Sequence, residues 1–435
     1  MGAVIRAMAC LTVVLGCVSA LAAPQSEGQQ QPTNLQSFLD LAAQNNPTLQ
    51  QAQSQIDAAR GMAYQAGLRL NPVVGYTSEQ IGVNGTAGEL HGGFVSQEFV
   101  RGGKLELSRA KYCQRVQIAE TIFQAQYQRV ANDVAIQFNK TIAAAQLCET
   151  QRALLENAKD RVLTHKEMVN VGQRTPAELL RAEVDEQRSE LKLQTAENDY
   201  RQTWRDLAAF VGIPNMEPVP LAGSLEPDSA PLDWQAALDN LLASSPELHA
   251  ARQKIQHDEI VVKRERIEPI PNITAQATVG YNFEADNTVA GVSVGLPLPV
   301  FDRNRGTIRQ AQADLARSYA EVRRLELELQ QRLAFEFRDY QSAWENLNMY
   351  QTGLLPKAKQ AYEKLDQAYK ERRAPWVDVL DAQRMMLDLQ SEYVNHLLAY
   401  RKSDIAIRGL LLSGGLTEPP APMSGGHLDA IPKPR

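Results

Sequence analysis

The sequence contains one long stretch, from Lys104 to Asn170, in which neither glycine nor proline occurs. Ala, Gln, Glu and Arg are frequent in it, and its apolar residues recur at the spacing of one helix face. At ~1.5 Å per residue, an uninterrupted helix of this length would span about 100 Å, several times the diameter of an ordinary domain. The stretch therefore predicts a helix that packs in an extended coiled coil, because no compact globule needs so long an element.

The composition supports extended helices and excludes one class of partner. Only 6% of the 435 residues are aromatic, which indicates long helices rather than several compact cores. The formal net charge is −6 and no basic stripe is present, so we expect no nucleic-acid partner. After the N-terminal segment, no apolar run is long enough for a helical membrane span.

The first residues are typical of an export signal. Arg6 supplies the positive charge, an apolar segment follows, and an A-x-A cleavage site ends at Ala22. We predict a signal peptide over residues 1–22 and a flexible lead over residues 23–34. An alternative is lipoprotein processing at Cys17, and in either case the protein leaves the cytoplasm.

Two cysteines, Cys113 and Cys148, certainly remain after export. Both fall on the same predicted helix, roughly 50 Å apart. This distance excludes a disulfide between them. We interpret both as small buried residues.

The sequence pattern occurs twice, with an offset of roughly 200 residues. Asn46-Pro47 marks a joint in a predicted helix of the first half, and Ser245-Pro246 marks the equivalent joint in the second. A constant offset indicates a duplication, so the two halves should be built alike. The predicted divisions are repeats over residues 35–213 and 232–412, a Pro-rich linker over 214–231 and a disordered tail over 413–435.

Each repeat is predicted to contain a β-hairpin. In the second repeat, over about residues 271–300, two uncharged alternating runs have the length of membrane-crossing strands. The first hairpin, over about residues 71–100, is less regular and carries Glu79 and Glu98. Glu98 falls on the face opposite Phe99, which would direct it into a wet lumen. A pair of hairpins in a soluble sandwich is the alternative that the alternation leaves open.

Two hairpins would leave unpaired edges that lipid cannot satisfy, so the chain must pool its strands with other copies. Three copies would give twelve strands, a size that leaves an open interior.

Proline-containing turns reverse the long helices. The predicted helices are a long one over 104–170 with a return helix over 176–211, and a second long one over 307–373, kinked at Pro356, with a return helix over 375–412.

With these features the chain resembles the TolC-like outer-membrane efflux proteins over nearly its whole mature length. The duplication, the two hairpins and the turn before each long helix carry the resemblance. The segment Pro-Leu-Pro-Val-Phe-Asp-Arg-Asn-Arg-Gly, residues 297–306, and the turn from Gln97 to Lys104 are most similar to the CzcC-type branch. That branch is associated with the export of heavy-metal cations.

The resemblance implies a mainly α-helical trimer with membrane β-hairpins. A twelve-stranded outer-membrane β-barrel, with four strands per chain, would continue into a long periplasmic α-helical coiled-coil barrel. The implied location is the outer membrane, in contact with its lipid and spanning into the periplasm. The implied partners are a periplasmic adaptor and an energised inner-membrane pump of the RND type. The chain would be a passive conduit, without enzyme activity or cofactor.

The resemblance also implies a gate at the periplasmic entrance. Asp378 and Asp381 match the two aspartates that ring this entrance in the family, and Tyr369 belongs to the same matching stretch. In a trimer, two stacked rings of three carboxylates would attract cations and hinder anions. The family's gate arginine aligns with Ala374, so Arg373, just before it, is the candidate for that role. A solvated helix face near the tip is the alternative interpretation of the aspartates.

The turn after the first long helix is the docking site that the resemblance implies for the adaptor. Val171 and Gly172 match the family's Val-Gly docking turn, and Arg174 lies beside them. The equivalent second turn contains Glu371 and Arg372, so the glycine is lost there.

The sequence contains no constellation typical of an enzyme. His249 and His257 have no third metal ligand at suitable spacing, and we interpret both as surface residues. Organic drugs and polypeptides of type I secretion are alternative cargoes for a channel. A secreted coiled-coil scaffold is a more remote alternative, because it would explain the helices but not the uncharged hairpins.

Overall fold

The computed structural model describes residues 33–81, 89–227 and 231–422. The predicted signal peptide, its cleavage site at Ala22 and the alternative lipidation site at Cys17 lie outside these residues. Residues 423–435 of the predicted tail also lie outside them.

The chain is mainly helical, and the same order of elements occurs twice. The first series consists of α1 (Leu35–Asn45), α2 (Pro47–Ala66), β1 (Val73–Glu79), β2 (Leu90–Phe99), α3 (Lys104–Asn170) and α4 (Pro176–Val211). The second consists of α5 (Trp234–Ser244), α6 (Pro246–Ile267), β3 (Ile273–Asn282), β4 (Asn287–Gly295), α7 (Arg305–Met349), a π-helical turn (Tyr350–Leu354), α8 (Leu355–Lys370) and α9 (Trp376–Arg408).

Each series opens with two consecutive helices because a polar cap separates them. The Asn46 side chain accepts a hydrogen bond from the Thr48 backbone N–H, and a proline follows the cap at the first helical position. Ser245 caps α6 in the same way, by accepting from the Leu248 backbone N–H. The two joints therefore have the same physical cause.

The helix α3 is continuous over 67 residues, which corresponds to about 100 Å. It packs along α2, α4, α6 and α9. None of the helices in the described part of the chain combines the length and the apolar character of a membrane span.

The two cysteines of α3 have different surroundings. Both thiols are free, and Cys148 is buried whereas Cys113 is exposed. The interpretation of both as buried residues was therefore wrong for Cys113. Its neighbour Tyr112 is buried, and consecutive residues of a helix point about 100° apart, so the Cys113 side chain points away from the packed face.

The second long helix is interrupted by the π-helical turn between α7 and α8. Pro356 has no N–H, so it cannot continue the regular hydrogen-bond ladder. Just before it, the Leu355 N–H bonds to the carbonyl of Tyr350, five residues earlier. The discontinuity predicted at Pro356 is therefore a widened turn on its N-terminal side.

The four strands form one antiparallel sheet in the order β1-β2-β3-β4. The central pair joins the two hairpins, with Val95 opposite Ala277. Residues directly opposite each other share a face, which gives the sheet two different faces. The more apolar face carries Val74, Val95, Phe99, Ile273, Ala275, Ala277, Val279, Val292 and Val294 together with Gln97, and the more polar face carries Thr77, Glu79, Ser96, Glu98, Thr274, Gln276, Thr278 and Ser293 together with Val73 and Phe94.

The strand β2 starts at Leu90, within the less regular first hairpin. In its first part, Gly92 lies opposite Gly280. A Cβ on Gly92 would lie 2.5 Å from the Val279 carbonyl oxygen. The glycines that hide the alternation in the sequence are therefore required by the close approach of the two strands.

Many of the aromatic residues gather in one core where helices of both repeats meet. Phe38 of α1 lies against Phe138 of α3 and Trp204 of α4, with ring centroids 5.6 and 6.3 Å away. Tyr340 of α7 and Tyr400 of α9 stack at 5.3 Å in the same core. This one cluster accounts for much of the small aromatic content, and the satellite clusters consist mainly of smaller aliphatic residues.

Residues 413–422 lie against α2 and α3, although the tail is predicted to be disordered from residue 413. The backbone N–H groups of Gly414 and Gly415 donate to Asp133 Oδ2 at 2.9 and 2.6 Å. The Thr48 hydroxyl donates to the Gly415 carbonyl at 2.8 Å. Composition misleads here because backbone groups of the segment take part in hydrogen bonds with helix side chains.

The interpretation of His257 as a surface residue was also wrong, whereas His249 is exposed. His257 is fully buried, and its Nδ1 lies 2.9 Å from Asp258 Oδ1. Lys254 donates to the other oxygen of Asp258 at 2.9 Å. Ser318 of α7 donates a hydrogen bond to the same oxygen of Asp258, a contact that no local pattern indicates.

Candidate functional site at the helical tip

The first turn at the tip follows α3 and is closed by backbone hydrogen bonds. The Gln173 N–H donates to the Met168 carbonyl at 2.8 Å, and Gly172 between them has φ 73°. This left-handed conformation is the usual helix ending for glycine. Val171 is 69% exposed, so the predicted docking residues lie on an open surface.

A capping box starts α4 directly after this turn. The Thr175 backbone N–H donates to Glu178 Oε2 at 2.9 Å, and Pro176 occupies the first helical position. Arg174 lies 2.6 Å from the other oxygen of Glu178. The Thr175 backbone bond and the Arg174 guanidinium together hold the pKa of Glu178 at about 2. The carboxylate is therefore ionised at any physiological pH.

The second turn repeats this geometry without the glycine. Arg372 has φ 58°, in the left-handed region that costs a residue with a Cβ about 1 kcal/mol or more. Arg373 is paired with Glu371 inside the turn. The Tyr369 ring packs on Trp376 with centroids 4.8 Å apart. Arg373 thus has its partner within the turn, and Tyr369 contacts the first residue of α9 across it.

The two predicted gate aspartates lie on the first turns of α9, and both are exposed. Val379 and Leu380 between them are fully buried. Residues three positions apart share one side of a helix, so the two carboxylates lie on the same surface. Their partners differ, since Asp381 forms a salt bridge and Asp378 takes part in none of those found among the described residues.

The segment around Asp381 is held by α3. Arg161 Nη1 lies 2.7 Å from Asp381 Oδ1. One turn earlier, the buried Asn157 donates to the Leu380 carbonyl at 3.0 Å and to Gln383 Oε1 at 2.9 Å. The long helix therefore fixes both the main chain and an acidic side chain of the predicted gate.

A third polar residue, His165, continues this line on α3. Positions 157, 161 and 165 are spaced by four and so lie along one helix face. His165 is 6% exposed, and its Nδ1 is buried without a hydrogen-bond partner in the described ranges. Nothing in the sequence singles out these three residues, because α3 carries many polar side chains and the partner helix is more than two hundred positions away.

The tip has no arrangement that would retain a metal ion. Within residues 33–81, 89–227 and 231–422, no group of three or more His, Cys, Asp or Glu side chains is placed to hold one.

A family model described as outer membrane efflux protein matches residues 38–213 and 237–411. The two matched segments correspond to the two series of elements described above. Together they cover most of the chain.

A curated relative is the cobalt-zinc-cadmium resistance protein CzcC of Cupriavidus metallidurans. It is 24% identical over 372 residues, which are 83% of this chain and 86% of the relative. The alignment therefore extends over nearly all of both proteins.

Two solved structures are similar in fold. CusC, whose crystal structures concern transmembrane channel formation, has a TM-score of 0.72 at 16% identity, over 87% of this chain and 92% of CusC. The outer membrane protein VceC of Vibrio cholerae has a TM-score of 0.68 at 19% identity, over 87% and 96%. At these identities the likeness establishes a common fold.

Proposed function

We propose, because this chain belongs to the outer membrane efflux protein family, that it conducts divalent heavy-metal cations outward across the outer membrane. Membership makes the chain an outer-membrane channel that reaches into the periplasm, and not an enzyme. The expected TolC-like fold is confirmed by the solved structures. A channel of this kind is a passive conduit, so the energy for export must come from a partner.

Channels of this family act as trimers with a periplasmic adaptor and an inner-membrane pump. Two features support the same assembly for this chain. The strands β1 and β4 are at the edges of the sheet, where copies of the chain can pair. The apolar face, with residues such as Val292 at 81% exposure, suits contact with outer-membrane lipid. We further propose that the pump is of the RND type.

The observation that carries the cation proposal is the pair of exposed carboxylates, Asp378 and Asp381, on one side of α9. In a trimer they would form two rings of three carboxylates near the entrance, which raise the local concentration of cations. The relative named for cobalt, zinc and cadmium resistance supports the same cargo. Tyr369 and Arg373 would then support the gate from the turn just before α9.

The tip itself is the proposed docking surface for the adaptor. Val171, Gly172, Arg174 and Arg372 belong to the two turns that end the long helices. Backbone hydrogen bonds close both turns, from the Gln173 N–H to the Met168 carbonyl in the first and from the Arg373 N–H to the Ala368 carbonyl at 2.7 Å in the second. The two turns therefore present a preformed surface to a partner.

The experiment that tests the cargo is growth of a strain that lacks the protein, on cobalt, zinc and cadmium salts beside a panel of dyes and antibiotics. The strain is complemented with the wild type, with the double variant Asp378→Ala and Asp381→Ala, or with Asp40→Ala as a matched control. Asp40 is an exposed residue of α1 that accepts a hydrogen bond from Gln36 at 2.9 Å, away from the tip.

We expect the wild type and the control to restore growth on metals only, and the double variant to restore it poorly. In single-channel recordings of the purified protein, the double variant should lose most of its preference for cations. If the wild type restored growth only on the dyes and antibiotics, the cargo would be organic compounds rather than metal cations. Unchanged ion selectivity would contradict the assignment of the two aspartates to the gate.

A further inference from the structure

We propose that His165 is a proton sensor that releases α9 from α3 at acidic pH and so opens the periplasmic entrance. The inference rests on the proposed gate at Asp381. It goes beyond that gate because it assigns a trigger to a residue on a different helix. The feature that carries it is a buried imidazole in line with the side chains that hold the gate segment.

The line consists of Asn157, Arg161 and His165, which occupy successive turns along one side of α3. The first two hold the gate segment, by a hydrogen bond to the Leu380 carbonyl and a salt bridge to Asp381. His165 extends the line toward the tip and is buried. A change in its charge therefore acts on the same helix contact.

Charged groups approach His165 from each element around it. Arg161 is on its own helix, Arg174 is in the tip turn, Glu178 is on α4 and Asp381 is on α9. The two guanidinium groups are permanently charged, and Glu178 stays ionised because its pKa is about 2. Within this set, the imidazole is the group suited to change charge near neutral pH.

The packed arrangement disfavours the charged imidazole. Burial lowers the pKa of His165 first, and Arg174 and Arg161 lower it further, against the opposite effects of Glu178 and Asp381. When α9 separates from α3, the imidazole is hydrated and its pKa returns toward the ordinary value of 6.5. Below that pH the released state takes up the proton, so the packed state loses stability as pH falls.

The test is the open probability of the purified full-length trimer in a planar bilayer, at about pH 7.5 and about pH 5.5. The variants are His165→Gln and His165→Phe, neither of which can carry a proton. His249→Gln is the matched control, because His249 is an exposed histidine of α6. The variant Asp381→Asn reports on the gate itself.

We expect the open probability of the wild type and of the control to rise at least about threefold on acidification. Both His165 variants should lose this rise, and Asp381→Asn should open the channel at both pH values. If either His165 variant forms conducting trimers and keeps the wild-type rise, the sensor is wrong. A wild type without any rise overturns it as well. If Asp381→Asn leaves the open probability unchanged, the assignment of Asp381 to the gate is wrong instead.

Discussion

Arg161 of α3 and Asp381 of α9 are joined by a salt bridge of 2.7 Å, 220 positions apart in the chain and inside one protomer. Position 374, where the resemblance places the family's gate arginine, is an alanine. The cation that pairs with Asp381 comes instead from α3. We infer that the closed arrangement in this chain depends on contact between the two repeats.

The first prediction concerns this pair. Arg161→Ala should raise the open probability of the channel about threefold, since a half-exposed ion pair contributes about 0.5 to 1 kcal/mol. Single-channel recording at neutral pH measures the change. Lys159→Ala is the control, because Lys159 pairs with Glu156 on the same helix rather than with α9. An equal effect of both substitutions would show that charge on α3, rather than the contact, matters.

The second prediction concerns Asn157. Asn157→Ala removes two hydrogen bonds to the gate segment and should destabilise the α3–α9 contact by about 1 to 3 kcal/mol. Hydrogen exchange of the backbone around Leu380 should become faster while exchange in the aromatic core is unchanged. Asn139→Ala is the control, because Asn139 is a buried residue whose side chain donates to the Ala135 carbonyl of α3 itself. Unchanged exchange around Leu380 would contradict the positioning role.

The third prediction concerns the two tip turns. Arg372→Gly should stabilise the second turn by roughly 1 kcal/mol, because glycine adopts the left-handed conformation without strain. Gly172→Ala should destabilise the first turn by a similar amount, although there is open space around that position. The rate of limited proteolysis at each of the two turns measures its local opening. If both substitutions acted in the same direction, backbone strain would not be the cause.

The fourth prediction concerns pH at the first tip turn. The pKa of Glu178 is lowered from 4.5 to about 2. Its contribution to stability is therefore fully present above about pH 4.5 and is lost as the pH falls toward 2. Proteolysis at the turn should be faster for Glu178→Gln than for the wild type at neutral pH, and the difference should disappear in strong acid. A difference that persists at low pH would contradict the capping role.

The fifth prediction concerns the C-terminal segment. Asp133→Ala removes the acceptor of two backbone N–H groups and should release residues 413–422, at a cost of about 2 kcal/mol. A protease added to the folded protein should then cleave this segment faster in the variant than in the wild type. Asp57→Ala is the control, because Asp57 is an exposed residue whose salt bridge, to Arg60, lies within α2. If residues 413–422 stay protected from cleavage in Asp133→Ala, other contacts hold the segment in place.

Local chemistry in the sequence predicts much of the helical architecture. The absence of glycine and proline in α3 and the polar-proline joints at Asn46 and Ser245 act within a few residues, so they are visible without a structure. The TolC-like fold expected from the resemblance is confirmed, and so is the outer-membrane location.

The features that the sequence does not predict depend on distant partners. Gly92 of β2 lies opposite Gly280 of the other repeat, and Asp258 beside His257 accepts a hydrogen bond from Ser318 of α7. Residues 413–422 are held by hydrogen bonds with Asp133, Thr48 and Gln126. At the candidate site, the positions of Asp378 and Asp381 on one helix side follow from their spacing, but the contact of Asp381 with Arg161 does not. The roles of these site residues remain predictions that the experiments above address.

The pairing of β2 with β3 has a consequence for biogenesis. Leu90 lies opposite Asn282, roughly 190 positions later. The sheet therefore cannot be completed until most of the chain has been exported, whereas α3 can form from local contacts as soon as it emerges. Because contacts at such separation are made late, we expect the individual helices to form before the sheet is completed.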